Sequence, residues 1–577
     1  MKITSTRRLF LGGTAAIGSA AALAACGGQQ SAEEQQQQAE EENAKAAEEQ
    51  SELPSTAWER AEYDQVADGG TLTLSVSQLP NNWNSQQTDG NLADLTKIRE
   101  SMGAGAEITY SETGEKAFNP DYVESAELTS EDPQIVTFKY NKDAVWDNGD
   151  PIVVEDLIAN WKATSGEDED FLIVTSVGWD QVKEIRQTDD EFTGEIEFAE
   201  PFADWITLVH PDSPASVTSD AKAFNEGYVS EPTPSKGPFT VSDIDSSGGV
   251  VTLTPNEKWW GRAPKLEKIV YKVTDQSQAP AAFANGELDI YEIANGDELA
   301  QAKGRSDASI QVTNGLTWTH LTLNTEGGDG CLADAKVREA IARGIDRNAI
   351  GNAVVGPLEA PIVLTNNFVY MPGQEGYEDS YEPLGGLEFD AEAAKKLLDD
   401  AGWVAASEGE VREKDGKKLA FTIIVPADTK SNEDRAAQVL TNLNAIGFEV
   451  KVQTVPSDAY FDEYITPKNF DAVTFSWVGS QYPESSSVNL VYPKDSGQNF
   501  TNFEDERLGD LNTQLKAAFD DEEKKKLANE VSKIIAESFT VIPFYATPEI
   551  WGVKDGVVNY GASQFEVSDW TQVGLKA

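Results

Sequence analysis

Apolar and polar residues alternate along Thr71–Val76, directly after Gly69-Gly70, and this two-residue period predicts a strand with one buried face. The same pattern marks Ile135–Tyr140, Val250–Thr254, Lys268–Val273 and Leu321–Asn324 as strands. Asp243–Gly248 has the spacing of a calcium loop at its start. Its twelfth position is Thr254 rather than Glu and strands flank it, so a hairpin turn is expected. The second half changes period. Asp390 is placed to cap a helix whose apolar positions Ala394, Leu397, Leu398 and Ala401 repeat every 3.6 residues, with Gly402 beyond its end. Strand Leu419–Val425, a helix facing inward through Ala436, Val439, Leu440 and Leu443, and strand Glu449–Val455 form a β–α–β unit, which requires parallel strands. A helix near Ala459–Ile465 leads into strand Asp471–Phe475.

That last strand runs into Ser476-Trp477-Val478-Gly479-Ser480-Gln481-Tyr482-Pro483. Ligands of open α/β sheets lie beyond the carboxyl ends of strands. An indole, a flexible glycine, a hydroxyl, an amide and a phenol on one strand-end loop therefore make a candidate binding surface.

Composition narrows the function. The 577 residues are too many for one core and call for two or three lobes. Forty-five Lys and Arg against 99 Asp and Glu give a net charge of -54, which disfavours nucleic acid and anionic lipid as partners. Two Cys and two His exclude a disulfide framework and a Cys/His zinc site. His210 and His320 lie in no nucleophile motif, no phosphate-loop or dinucleotide fingerprint occurs, and no cofactor is expected.

The chain starts with an address. Arg7-Arg8 precede an Ala/Gly-rich apolar stretch ending at Leu23-Ala24-Ala25-Cys26, an export signal of Tat or Sec type over residues 1–25. Its end resembles the bacterial lipoprotein box, which implies that Cys26 is lipidated and leaves Cys331 an unpaired thiol. Gln29–Glu52 is Gln/Glu-rich and without aromatics, a tether that cannot bury a core; the lipidated Cys and spacer span 26–53.

Several segments then resemble, in one order, the large extracytoplasmic solute-binding proteins of the oligopeptide/dipeptide/nickel-binding family (family 5) that serve ABC importers. They are Ile135–Tyr140, Val145–Ile152 with Glu155-Asp156-Leu157, Lys236–Phe239, Trp259-Trp260-Gly261, Ala282–Ile290, Val337–Arg347, Ala394–Trp403 and Ile542–Tyr545. Lys236 departs from the family's usual Gly. The resemblance implies a two-lobed α/β fold of the periplasmic-binding-protein type (class II, cluster C). It implies lobe I from 54–80, 213–317 and 546–577, an inserted subdomain over 81–212, and lobe II over 318–545. The chain would cross between lobes near Gly315–Trp318 and Ile542–Ala546, a hinge that lets the lobes close on a ligand.

By the same resemblance Ser476–Ser480 occupies the place of the peptide binders' S-W-x-x-D segment. There the Trp walls the pocket, the next residue offers backbone hydrogen bonds, and the Asp pairs with the ligand's amino terminus. Trp477 is kept, whereas Ser480 replaces the acid. Losing a charge-assisted hydrogen bond of ~1.5–3 kcal/mol weakens a free amine's hold tenfold or more. Asp89-Gly90-Asn91 resembles the Glu-Gly segment beside the ligand, and Trp318 at the hinge is a further lining candidate; Trp83 and Asn84 are weaker ones. The expected site is thus Trp477, Val478, Gly479, Ser480, Gln481, Tyr482, Asp89, Gly90, Asn91 and Trp318. The implied function is a non-enzymatic, monomeric, lipid-anchored receptor on the outer face of the cell membrane. It would hand oligopeptides to an ABC permease and meet the membrane only through its lipid. An oligosaccharide or a cationic metabolite remains open as cargo, since Trp477, Tyr482, Gln481 and Trp83 suit a sugar as well. A hydrolase using two carboxylates is the reading from another class, but 99 acids guarantee accidental pairs and none is singled out.

Overall fold

The computed structural model describes residues 53–407, 409–427, 429–487 and 498–577. The expected export signal, Cys26 and the tether up to residue 52 lie outside the described residues. No helix among the described residues is long and apolar enough to cross a membrane.

A four-stranded sheet takes the order Thr71–Val76, Lys268–Val273, Val250–Pro255, Phe239–Asp245, with the first pair parallel and the others antiparallel. Leu72, Leu74 and Val76 turn one face inward against Leu95 and Ile98, as their period requires. The hairpin at Asp243–Gly248 is present: Asp245 accepts from the Ser247 and Gly248 amides, an ordinary Asx turn. A three-stranded sheet, Ile290–Glu292, Glu549–Lys554 and Ala308–Thr313, lies alongside. Asp289 joins the two sheets, accepting from the Thr73 amide at 2.8 Å and pairing with Lys554 at 2.8 Å. A second four-stranded sheet, in the order Val123–Glu131, Gln134–Tyr140, Thr193–Phe198, Val182–Gln187, has its own core around Phe138, Trp146 and Ile196. The Trp146 indole donates to Asp156, whose carboxylate also accepts from the Val153 and Ala215 amides.

The other half is built on a six-stranded sheet. Its order is Val363–Leu364, Val541–Ala546, Thr317–Leu323, Ala472–Val478, Ala420–Pro426, Glu449–Val455. Ala420–Pro426 and Glu449–Val455 are parallel across helix Lys430–Asn444, the expected β–α–β unit. Asp390 caps helix Ala391–Asp400 by accepting from the Glu392 and Ala393 amides. Two arginines of the family-like segments satisfy backbone carbonyls in the core. Arg338 donates to Ser538 and Leu332, and Arg347 donates to Thr365, Leu387 and Pro543. Pro543 has no amide to give, and the ladder shifts register beside it, between Thr319 and His320.

Three expectations need correction. The strand placed at Leu321–Asn324 begins at Thr317, because Thr317–Leu323 is paired on both sides. The helix near Ala459–Ile465 is a 3-10 turn, Ser457–Ala459, followed by a π-helical turn, Tyr460–Ile465. Tyr460 is fixed there by donating to the Ile424 and Thr474 carbonyls. The strand ended at Phe475 continues to Val478, so Ser476, Trp477 and Val478 belong to the sheet and the loop proper starts at Gly479.

Candidate functional site

Strand Ala472–Val478 presents its carboxyl end in the register Thr317 to Val478, Trp318 to Trp477 and His320 to Phe475. Side chains directly opposite share a face. Trp318, His320, Phe475 and Trp477 therefore form one aromatic group. The Trp477 ring lies 2° from parallel to Phe500 at 5.9 Å and 15° from His320 at 6.2 Å. Trp477 is half-buried with an edge still open, while Trp318 is buried against His320 and Phe368. The structure thus places Trp318 in the core, where it backs Trp477 instead of lining open space. His320 is wholly enclosed, and burial followed by the nearby Arg435 pushes its pKa down to about 3. It is neutral and structural.

On the opposite face of the strand end Ser476 is exposed and Val478 is 72% exposed. Gly479 follows with its amide on the Leu316 carbonyl. A Cβ there would sit 2.7 Å from Met371, so the close approach requires glycine. Ser480 directs its hydroxyl to the turn, accepting from the Tyr482 amide at 2.9 Å and facing Ser486 at 3.0 Å. It stands in for no carboxylate. The Ser480 carbonyl accepts from Gln374.

Tyr482 reaches across to the other half. Its hydroxyl is 2.8 Å from that of Tyr110, the rings meet edge to face, and the Lys116 ammonium lies 4.5 Å over the Tyr482 ring. Burial and then Tyr110 raise the Tyr482 pKa, so the phenol stays protonated and available as a donor. The Glu375 amide donates to the Thr113 carbonyl in the same region. A cavity of about 340 Å³ opens here, lined by Lys116, Asp204 and Trp205 from one side and Tyr370, Gln481 and Glu484 from the other.

Asp89 and Gly90 lie in a 3-10 turn, Thr88–Gly90, whose end Asn91 caps ahead of helix Ala93–Glu100. Asp89 and Asn91 are exposed; Gly90 is buried, and a Cβ on it would meet the Asn84 carbonyl at 2.0 Å. Among the described residues no hydrogen bond or ring contact joins this turn to Trp477–Tyr482. Trp83 and Asn84 are buried; the Asn84 amide group donates to the Phe224 carbonyl, a structural duty.

The structure also assembles a row of charges that sequence reasoning missed. Arg99, on the helix just after Asn91, pairs with the Asp212 carboxylate at 3.2 Å, donates to the Asp212 main-chain carbonyl and contacts the Ser85 hydroxyl. Lys236 is buried, pairs with Glu107 and donates to the Pro211 carbonyl at 2.5 Å. His210 Nδ1 stands 3.7 Å from Glu107 Oε2, and neither atom has a hydrogen-bond partner. Burial lowers the His210 pKa, keeping it neutral at pH 7. Burial opposes the Asp212 charge, yet Arg99, Lys236 and His210 together hold its pKa below the ordinary carboxylate range. The one signal in the sequence was Lys236, the departure from the family's Gly. Among the described residues no group of three or more His, Cys, Asp or Glu could hold a metal ion. Cys331 is buried and unpaired, with its thiol pKa pushed up to about 12 by burial.

Comparison with known proteins agrees with this architecture. The family model for bacterial extracellular solute-binding proteins, family 5, matches residues 117–499. The oligopeptide-binding protein OppA of Mycobacterium tuberculosis is 33% identical over 514 residues, covering 88% of this chain and 85% of that one. Among solved structures, the periplasmic EDTA-binding protein EppA superposes with a TM-score of 0.77 at 25% identity, covering 91% of this chain and 99% of its own. The oligopeptide-binding protein AppA of Bacillus subtilis, solved with a nonapeptide, gives a TM-score of 0.65 at 19% identity, covering 89% of this chain and 100% of its own.

Proposed function

This chain belongs to the bacterial extracellular solute-binding proteins of family 5, non-enzymatic receptors of ABC importers with a two-lobed mixed α/β fold; from that premise we propose that its cargo is oligopeptides. The observation that carries this reading is the strand end Ala472–Val478. It offers the half-buried Trp477 as a wall, and beyond Val473 its edge toward Ala420–Pro426 has no strand partner among the described residues. Main-chain hydrogen bonds grip a peptide backbone whatever its side chains, and waters accommodate the rest at modest cost. The likeness to OppA and to peptide-bound AppA supports it. A polyanionic chelate like that of EppA is less suited to the charge row described above, because both Arg99 and Lys236 are already engaged with carboxylates.

In this reading Trp477, Val478, Gly479, Gln481 and Tyr482 line one wall, with Asp89, Gly90 and Asn91 at the rim of the other. Trp318 and Ser480 hold the wall in shape. The lobes divide as 54–80, 213–317 and 546–577 against 318–545, with 81–212 as an insertion. The receptor is a monomer tethered outside the membrane through a lipid on Cys26. The test is a thermal-shift screen of the full chain against a tryptic casein digest and a pool of oligosaccharides. Ligand at 100 times its Kd adds ~2.7 kcal/mol of apparent stability. A shift with the digest and none with sugars is expected; the reverse result transfers the receptor to another cargo.

A further inference from the structure

We propose that the carboxylate of Asp212 binds a free ammonium group of the ligand, in place of the acid that Ser480 does not supply; this rests on the oligopeptide reading above. Asp212 Oδ2 faces Arg99 and Ser85, while Oδ1 receives no hydrogen bond among the described residues. The Asp212 side chain is 25% exposed although Pro211 and Ser213 on either side are buried, so its carboxylate is reachable from solvent. The Glu107 side chain is 3% exposed, and its Oε2 has no hydrogen-bond partner.

The sign of the ligand group follows from which atoms are spare. Each cation of the row already holds a carboxylate: Arg99 that of Asp212, and Lys236 that of Glu107. The unused atoms include two carboxylate oxygens, which are acceptors only. An ammonium carries three donors and no acceptor, and is their complement; a carboxylate would meet its own kind. Location fits as well. Glu107 directly precedes strand Ile108–Tyr110, whose Tyr110 bonds to Tyr482, and Ala203–Ile206, shortly before Asp212, lines the cavity shared with Gln481 and Glu484. Asp212 thus follows, a few residues along the chain, the segment that lines this cavity, and Arg99 and Ser85 hold it there.

Native mass spectrometry of the full chain with a tryptic casein digest, untreated and after acetylation of all amines, tests this. Acetylation removes ammonium groups and leaves arginine guanidinium intact. The untreated digest should be retained roughly tenfold or more over the acetylated one, and Asp212→Asn should abolish that preference while retaining both. Equal retention of both digests by the unaltered chain overturns the proposal and leaves the peptide receptor standing, as does a preference that survives in Asp212→Asn. Retention of neither digest overturns the peptide reading itself, and the proposal with it. Should Asp212→Asn not fold, carbodiimide labelling of the unaltered chain decides. Asp212 is expected to be shielded by the untreated digest only, and equal labelling with both digests refutes the assignment.

Discussion

Lys236 and Glu107 provide the sharpest energetic test of the reading. Lys236 is 2% exposed and Glu107 3%; the Lys236 ammonium pairs with Glu107 and donates to the Pro211 carbonyl, both out of reach of bulk solvent. Lys236→Met removes one charge and strands the other. Leaving an uncompensated buried charge costs about 3–5 kcal/mol. Lys236→Met combined with Glu107→Gln removes both charges and should regain about half of that loss. The rest persists because the Pro211 carbonyl still lacks its donor, a penalty of ~1–3 kcal/mol. Lys303→Met is the control: its partner Glu359 is 2.5 Å away on the surface, where such pairs contribute ~0–1 kcal/mol. Urea unfolding followed by tryptophan fluorescence gives the differences from the midpoints, provided the slopes agree. A loss below about 1 kcal/mol in Lys236→Met, or a double variant no more stable than the single one, refutes the buried pair.

Three further outcomes are expected. Tyr110→Phe and Tyr482→Phe each delete the hydroxyl–hydroxyl hydrogen bond between them and should weaken peptide affinity about 2–10-fold by calorimetry, with the double variant no worse than either; additive losses would mean the two hydroxyls act separately. Trp477→Ala should lower peptide affinity tenfold or more while unfolding shifts by only about 1–2 kcal/mol, since the ring is half-buried; unchanged affinity removes it from the site. His320 has a folded pKa lowered to about 3 from 6.5, so the unfolded chain takes up a proton that the native state refuses. Its contribution falls by about 1.4 kcal/mol per pH unit as pH drops from 6.5 toward 3. His320→Leu should therefore gain stability relative to the unaltered chain over that window in urea titrations, and a pH-independent difference contradicts the burial.

The sequence by itself determined the local elements and the family. Period-two runs such as Thr71–Val76 and Lys268–Val273, and the Asp390-capped helix, are encoded within a few residues of themselves. The resembling segments were legible because Trp146, Asp289, Arg338 and Arg347 serve the fold, and a fold constrains residue type at fixed positions. Tertiary structure alone decided that Ser476–Val478 is strand, since the pairing partner Thr317–Thr319 lies far away along the chain. It alone turned Trp318 inward and brought Tyr482 to Tyr110. The row of Arg99, Glu107, His210, Asp212 and Lys236 comes from segments too far apart for periodicity to connect. Periodicity reports which side of an element meets a core, whereas ion pairs depend on how separate elements dock, and that is settled only when the whole chain packs.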